Sequence, residues 1–160
     1  AYDKIARFLG LGYPGGPVID RLSRQGNPEA VRFPRAMLDD GTYNFSLSGL
    51  KTAVITHVRR ARERGEPIDL PDLAASFQEA VVEVQVAKTL RAARERGAAR
   101  VVLAGGVASN RTLRERLRDL QHGHLPDRKL GLRDDHVPHG QRHPERTAEL
   151  WAVGYNDGCI

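Results

Sequence analysis

The chain of 160 residues holds one cysteine, one methionine, one tryptophan and few aromatic residues, 6 % in all. Cys159 on its own excludes an internal disulfide framework and fits a reducing compartment. No apolar run approaches the roughly 20 residues that a membrane-spanning helix needs, so no membrane partner is expected. The chain opens Ala1-Tyr2-Asp3-Lys4, with neither an initiator methionine nor a signal-like apolar segment. The expectation is a cytoplasmic protein, either processed or a piece of something longer. No internal repeat is visible. No serine sits in an elbow motif and no Ser/His/Asp triad is inferable, so catalytic residues stay unassigned.

What is present supports a core. Forty per cent of the residues are hydrophobic, enough for one domain or one half of a bilobal protein. The net charge of +5 and a pI near 9.8 suit an anionic partner such as a nucleic acid. Much of that charge is arginine mixed with glutamate over residues 59–66 and 91–96, which reads equally as the solvated face of helices.

Periodicity orders the chain as helix, helix, strand, helix, helix, strand, helix, which predicts an α/β domain. A short helix over 3–9 turns Ile5, Phe8 and Leu9 to one side. The glycine- and proline-rich stretch Gly10 to Pro17 stops it, and Pro17 suits the first turn of a second helix ending near Gln25. Residues 26–42 read as irregular. Tyr43-Asn44-Phe45-Ser46-Leu47 alternates like a strand. A helix from Ser48 to about Arg64 follows, with Ser46 or Ser48 as its cap. Residues 71–96 carry a wide apolar stripe, Leu73, Phe77, Ala80, Val81, Val84, Ala87 and Leu90, and predict a core helix.

The β-branched run Val101-Val102-Leu103 then ends in Gly105-Gly106, and a helix is predicted over 108–120. A strand, a tight glycine turn and a helix N-terminus expose unpaired backbone N–H groups that favour an anion. Asp3, Gly15-Gly16 and Gly105-Gly106 could together face a nucleotide, because a carboxylate accepts from ribose hydroxyls and glycine turns admit purines and phosphates. Asn110 either caps the helix that follows or offers its amide to a ligand, and Asp3 has the same two readings.

From Gln121 the composition changes. His136, His139 and His143 with Asp134 and Asp135 have a metal-like look, but Pro138, Gly140 and Pro144 break any helix that would align them. The closing Leu150-Trp151-Ala152-Val153-Gly154-Tyr155 reads as a short packed helix.

Four stretches then stand together: Tyr2-Asp3-Lys4 with Gly10 to Pro17, Phe45 to Val54, Ala75 to Val82, and Leu103 to Asn110. In this order and spacing they resemble the C-terminal part of the TsaD (Gcp) family, the tRNA threonylcarbamoyladenosine synthases once labelled O-sialoglycoprotein endopeptidases. The resemblance covers residues 2–120. It implies one lobe of an actin-like, Hsp70-like ATPase fold. It also implies transfer of a threonylcarbamoyl group from threonylcarbamoyl-adenylate to the tRNA adenosine beside the anticodon, with partner subunits of a tRNA-modification complex. By position, Asp3, Gly16, Asp20, Gly105, Gly106 and Asn110 resemble the family's nucleotide-binding residues.

The family also implies an ATP-type nucleotide and a metal ion, iron or zinc. Its ligands are two histidines of a first lobe, absent here, and an aspartate in a Thr-Asp-Asn setting, also absent, so no metal ligand is assigned. Three regions result: a lobe over 1–120, a divergent His/Pro-rich segment over 121–149, and a closing segment over 150–160. A change of reading frame is expected in the middle region. His139-Gly140-Gln141-Arg142 can be encoded CAC-GGA-CAA-CGC-C, which reads Thr-Asp-Asn-Ala one base later, with the aspartate near Gly140. The alternative to an incomplete transferase is a non-catalytic lobe that binds nucleotide or a partner.

Overall fold

A computed structural model of the chain describes residues 1–121 and 148–153. The elements run α1 (Tyr2–Phe8), α2 (Gly15–Ser23), α3 (Ser48–Glu63), α4 (Leu70–Glu95), β1 (Ala98–Ala104), a single 3₁₀ turn (Gly106–Ser109), α5 (Arg111–Gln121) and β2 (Ala148–Val153). The His/Asp cluster at 134–143 and the Thr-Asp-Asn position near Gly140 lie outside the described residues.

The long helix α4 is the spine. Asp69 caps it by accepting from the Asp72 N–H at 2.8 Å, and Pro71 sits in the first turn, where its missing donor costs nothing. Gly97 closes it with a φ of +62°, a conformation open to glycine at little cost. Every residue of the predicted apolar stripe is buried.

Two apolar clusters share this helix. The first half of α4, through Leu73, Ala74, Phe77, Ala80 and Val81, packs on Ile5 of α1, Ile19 of α2 and Leu50, Val54 and Val58 of α3. The second half, through Val82, Val86 and Leu90, packs on Leu113 and Leu117 of α5. The edge of the Tyr2 ring meets Phe77, with centroids 5.2 Å apart, and Phe33 meets His57 in the same way.

Residues 26–47 contain no helix or strand, so Tyr43–Leu47 is not the strand its alternation predicts. The segment is pinned instead by polar side chains spaced along α4. Asp72 accepts from the Asn27 N–H, Ser76 accepts from the Val31 N–H, and Glu83 pairs with Arg35. Lys88 pairs with Asp40 and donates to the Thr42 carbonyl, and Glu95 accepts from the Tyr43 hydroxyl. Neither expected serine forms the N-cap of α3. That position is Leu47, and Ser46 Oγ accepts from the Ser48 N–H instead.

β1 pairs with β2 in parallel, with Val101 opposite Leu150 and Val102 opposite Trp151. The closing segment is therefore a strand through Val153 and not the helix expected over 150–155. Its apolar residues have no helical partner spacing to settle the choice, and an unpaired edge of β1 offers its backbone groups a ladder.

Candidate functional site

The first group of candidate residues gathers where α1 meets α2. Asp3 lies inside the first turn of α1 rather than ahead of it. Its Oδ1 accepts from the Gly15 N–H at 2.7 Å, which opens α2. Pro14, the N-cap of α2, has no side chain that could accept this proton, so Asp3 caps α2 from twelve residues away. Gly15 is buried, and a Cβ there would stand 2.7 Å from Ala6 Cβ and from Asp3 Cα. The close helix crossing therefore demands glycine at 15. Gly16 has open space around it, and no steric contact among the described residues requires glycine there. Beside Asp3, a shallow concavity of about 350 Å³ is lined by Asp3, Arg7, Gly10, Gly12 and the exposed Tyr13.

The second group centres on α4. The carbonyl of Gly105, whose φ is +76°, accepts from the Ala108 N–H at 3.0 Å and starts the turn that delivers Asn110 to the N-terminus of α5. Asn110 Oδ1 accepts from the Leu113 N–H at 2.9 Å, so it is the helix cap. Its Nδ2 donates to the Tyr2 hydroxyl at 3.1 Å and to Gln78 Oε1 at 3.3 Å. Gln78 Nε2 in turn faces Ser23 Oγ at 2.8 Å, Thr112 Oγ1 at 3.0 Å and Asp20 Oδ1 at 3.4 Å. Asp20 Oδ2 pairs with Arg24.

Asp20 and Asn110, from α2 and the start of α5, thus meet through one buried amide. Tyr2, next to Asp3 in α1, supplies the contact to Asn110, while Asp3 Oδ1 accepts from the Gly15 N–H. Burial raises the Tyr2 hydroxyl well above its usual range and the charge of Asp20 adds to that, while the bond from Asn110 works the other way. Gly106, like Gly16, has open space where a side chain would stand.

The sequence did not single out Tyr2, Ser23, Gln78 or Thr112 as site residues. For Gln78 a signal exists: Ala74, Ala75, Val81 and Val82, three and four residues to either side, are all apolar and buried. A polar side chain in that setting is buried and needs partners.

Among the described residues, no three His, Cys, Asp or Glu side chains gather to hold a metal ion. No helix among them is long and apolar enough to cross a membrane.

The model of one protein family, described as tRNA N6-adenosine threonylcarbamoyltransferase (TsaD), matches residues 1–135. The chain belongs to the TsaD family. Its family match runs past the change of composition at Gln121 but stops short of His139–Arg142. A tRNA N6-adenosine threonylcarbamoyltransferase of Geobacillus thermodenitrificans is 56 % identical over 119 residues, covering 74 % of this chain and 34 % of the relative. Proteins of the same name from Geobacillus kaustophilus and Listeria innocua are 55 % and 52 % identical, each over 130 residues and 81 % of this chain. They are covered to 37 % and 38 % of their length, so this TsaD chain spans little more than a third of the curated relatives it matches.

Proposed function

We propose that this chain supplies one lobe of an actin-like, Hsp70-like transferase acting in the cytoplasm with partner subunits. The reaction moves a threonylcarbamoyl group from threonylcarbamoyl-adenylate to the exocyclic amine of the tRNA adenosine beside the anticodon. The observation that carries the reading, beside family membership, is the meeting of Asp20 and Asn110 through Gln78.

The chain's own groups suit an adenylate. Asp3 spends Oδ1 on Gly15, and among the described residues no donor meets its Oδ2, which is free for a ribose hydroxyl. Asn110 has both amide hydrogens engaged, so its second Oδ1 lone pair is what remains for a ligand donor. The open space at Gly16 and Gly106 leaves room for a purine or phosphate to approach backbone. The metal ion that the family resemblance implies finds no donor set among the described residues.

Threonylcarbamoyl transfer to tRNA, assayed with the chain alone and then with a first lobe supplied, tests the reading. Transfer only when both are present supports it. Tight ATP binding with no transfer in either case replaces it with a lobe that binds without catalysing. Unchanged ATP affinity in Asp3→Ala and Asn110→Ala, with folding intact, removes these two as ligands.

A further inference from the structure

Gln78 is 3 % exposed, in the middle of the most buried helix of the fold. An amide there costs stability unless its hydrogen-bonding groups are met. They are met in a directed order. The Leu113 N–H can only donate, so it fixes Asn110 Oδ1 toward α5 and Asn110 Nδ2 toward Gln78. Nδ2 can only donate, so it fixes Gln78 Oε1 toward Asn110 and Nε2 toward α2. There Asp20 can only accept, and the Ser23 hydroxyl has already given its hydrogen to the Asp20 carbonyl at 2.9 Å. Both ends of the chain of bonds agree on one orientation of the Gln78 amide.

Nε2 has two hydrogens and faces three acceptors, with Asp20 the most distant at 3.4 Å. Asp20 Oδ1 is therefore the acceptor most easily shared with a ligand, its Oδ2 staying on Arg24, while Ser23 and Thr112 keep the amide in place.

We propose that Gln78 is the positioning residue of the nucleotide site. It sets Asp20 on α2 and Asn110 on α5 in one arrangement and couples what the two can bind. This rests on the reading that Asp20 and Asn110 face nucleotide. Gln78 touches no ligand itself. It acts through the two residues that do. Gln78→Glu preserves the shape and replaces the donor by an acceptor facing the Asp20 carboxylate.

The test is ATP binding to the 160-residue chain by calorimetry, with Asp20→Asn, Asn110→Ala and their double variant, each made with Gln78 and with Gln78→Leu. The expected result has three parts. Gln78→Glu weakens ATP about tenfold, in line with the value of a charged hydrogen-bonded group. The two single effects fail to multiply when Gln78 is present, and they multiply in Gln78→Leu. If Asp20→Asn and Asn110→Ala leave ATP affinity unchanged, the site reading falls and takes the proposal with it. If they weaken ATP but remain coupled without Gln78, the proposal alone falls.

A second measurement needs no variant at Gln78. In the wild-type chain, the two side-chain amide protons of Gln78 are expected at NMR positions shifted away from those of an exposed glutamine, and to move in both Asp20→Asn and Asn110→Ala. A pair at the positions of an exposed glutamine that ignores both substitutions overturns the proposal.

Discussion

The side-chain amide of Asn110 donates to the Tyr2 hydroxyl at 3.1 Å, joining residues 108 positions apart. The contact ties the first turn of α1 to the N-terminus of α5. Tyr2→Phe keeps the ring on Phe77 and removes only this bond. The expected cost is about 1 kcal/mol, read by urea unfolding at neutral pH. The raised Tyr2 pKa adds a pH signature. Below pH ~10 the hydroxyl is protonated in both states, and its contribution is fully present. Above that, the unfolded chain ionises first and stability falls as pH rises. Wild type is therefore expected to lose more stability than Tyr2→Phe between pH 9 and 11, and a constant difference would contradict the burial of this hydroxyl.

Lys88 and Asp40 form an unequal pair. The lysine is 3 % exposed, whereas the Asp40 side chain is 28 % exposed. The bond from Lys88 does most to hold the Asp40 carboxyl at about 2, with the Thr42 N–H adding to it. A lowered carboxylate stabilises the fold above its unfolded pKa near 4 and loses that effect as pH falls toward 2. Asp40→Ala leaves a buried ammonium without its counter-charge, while Lys88→Met removes the charge and keeps the stem. Asp40→Ala is expected to lower the thermal midpoint at pH 7 more than Lys88→Met does, and the reverse order would refute this account.

Neighbouring glycines are expected to respond differently to the same methyl group. Gly15→Ala drives a Cβ into Ala6 and the backbone of Asp3, at an expected cost of about 1–3 kcal/mol in chemical denaturation. Gly16→Ala meets nothing and is expected to leave stability within ~0.5 kcal/mol. If Gly16 faces nucleotide, its effect appears instead as weaker ATP binding.

Two substitutions at Asn110 separate capping from ligand contact. Asn110→Asp keeps an oxygen for the Leu113 N–H and gives up the donor to Tyr2 and Gln78. Asn110→Ala gives up both, and the lost cap costs about 1 kcal/mol. Helix content, urea midpoint and ATP affinity should all fall further in Asn110→Ala, which loses the Oδ1 acceptor, than in Asn110→Asp, which loses only the donor to Tyr2 and Gln78. Normal ATP affinity in Asn110→Ala would reduce the residue to a cap.

The frame expectation over 121–149 is checked at the level of DNA. Sequencing the source gene across codons 118–148 should show a base gained or lost there and restore Thr-Asp-Asn near Gly140. A clean, continuous frame ends that expectation.

The helices were legible because each announces itself locally. The stripe of α4, from Leu73 to Leu90, repeats over about five turns, and glycine marks the end of the helix. Elements that depend on distant partners were not. Tyr43 to Leu47 alternates like a strand, yet Tyr43 answers to Glu95 and the neighbouring Thr42 carbonyl to Lys88. Leu150 to Val153 joins β1 through backbone groups that carry no side-chain signature. Asp20 and Asn110 stand out singly in the sequence, but their meeting does not, because Gln78 is one polar letter in an apolar stripe. Gly15 shows the same limit, since two adjacent glycines look alike until the helix beneath one of them is in place.

The row of polar side chains down α4 also sets how residues 26–47 come apart. The segment has no helix or strand of its own, so it has little cooperativity of its own. Asn27 and Val31 give their amide protons to Asp72 and Ser76, not to a neighbouring backbone. Protection of those two amides against hydrogen exchange therefore reports on the face of α4. Releasing the segment also uncovers Phe33, which is buried against His57 of α3, and the buried Lys88, so the loss of those two amide bonds is tied to opening of the core itself.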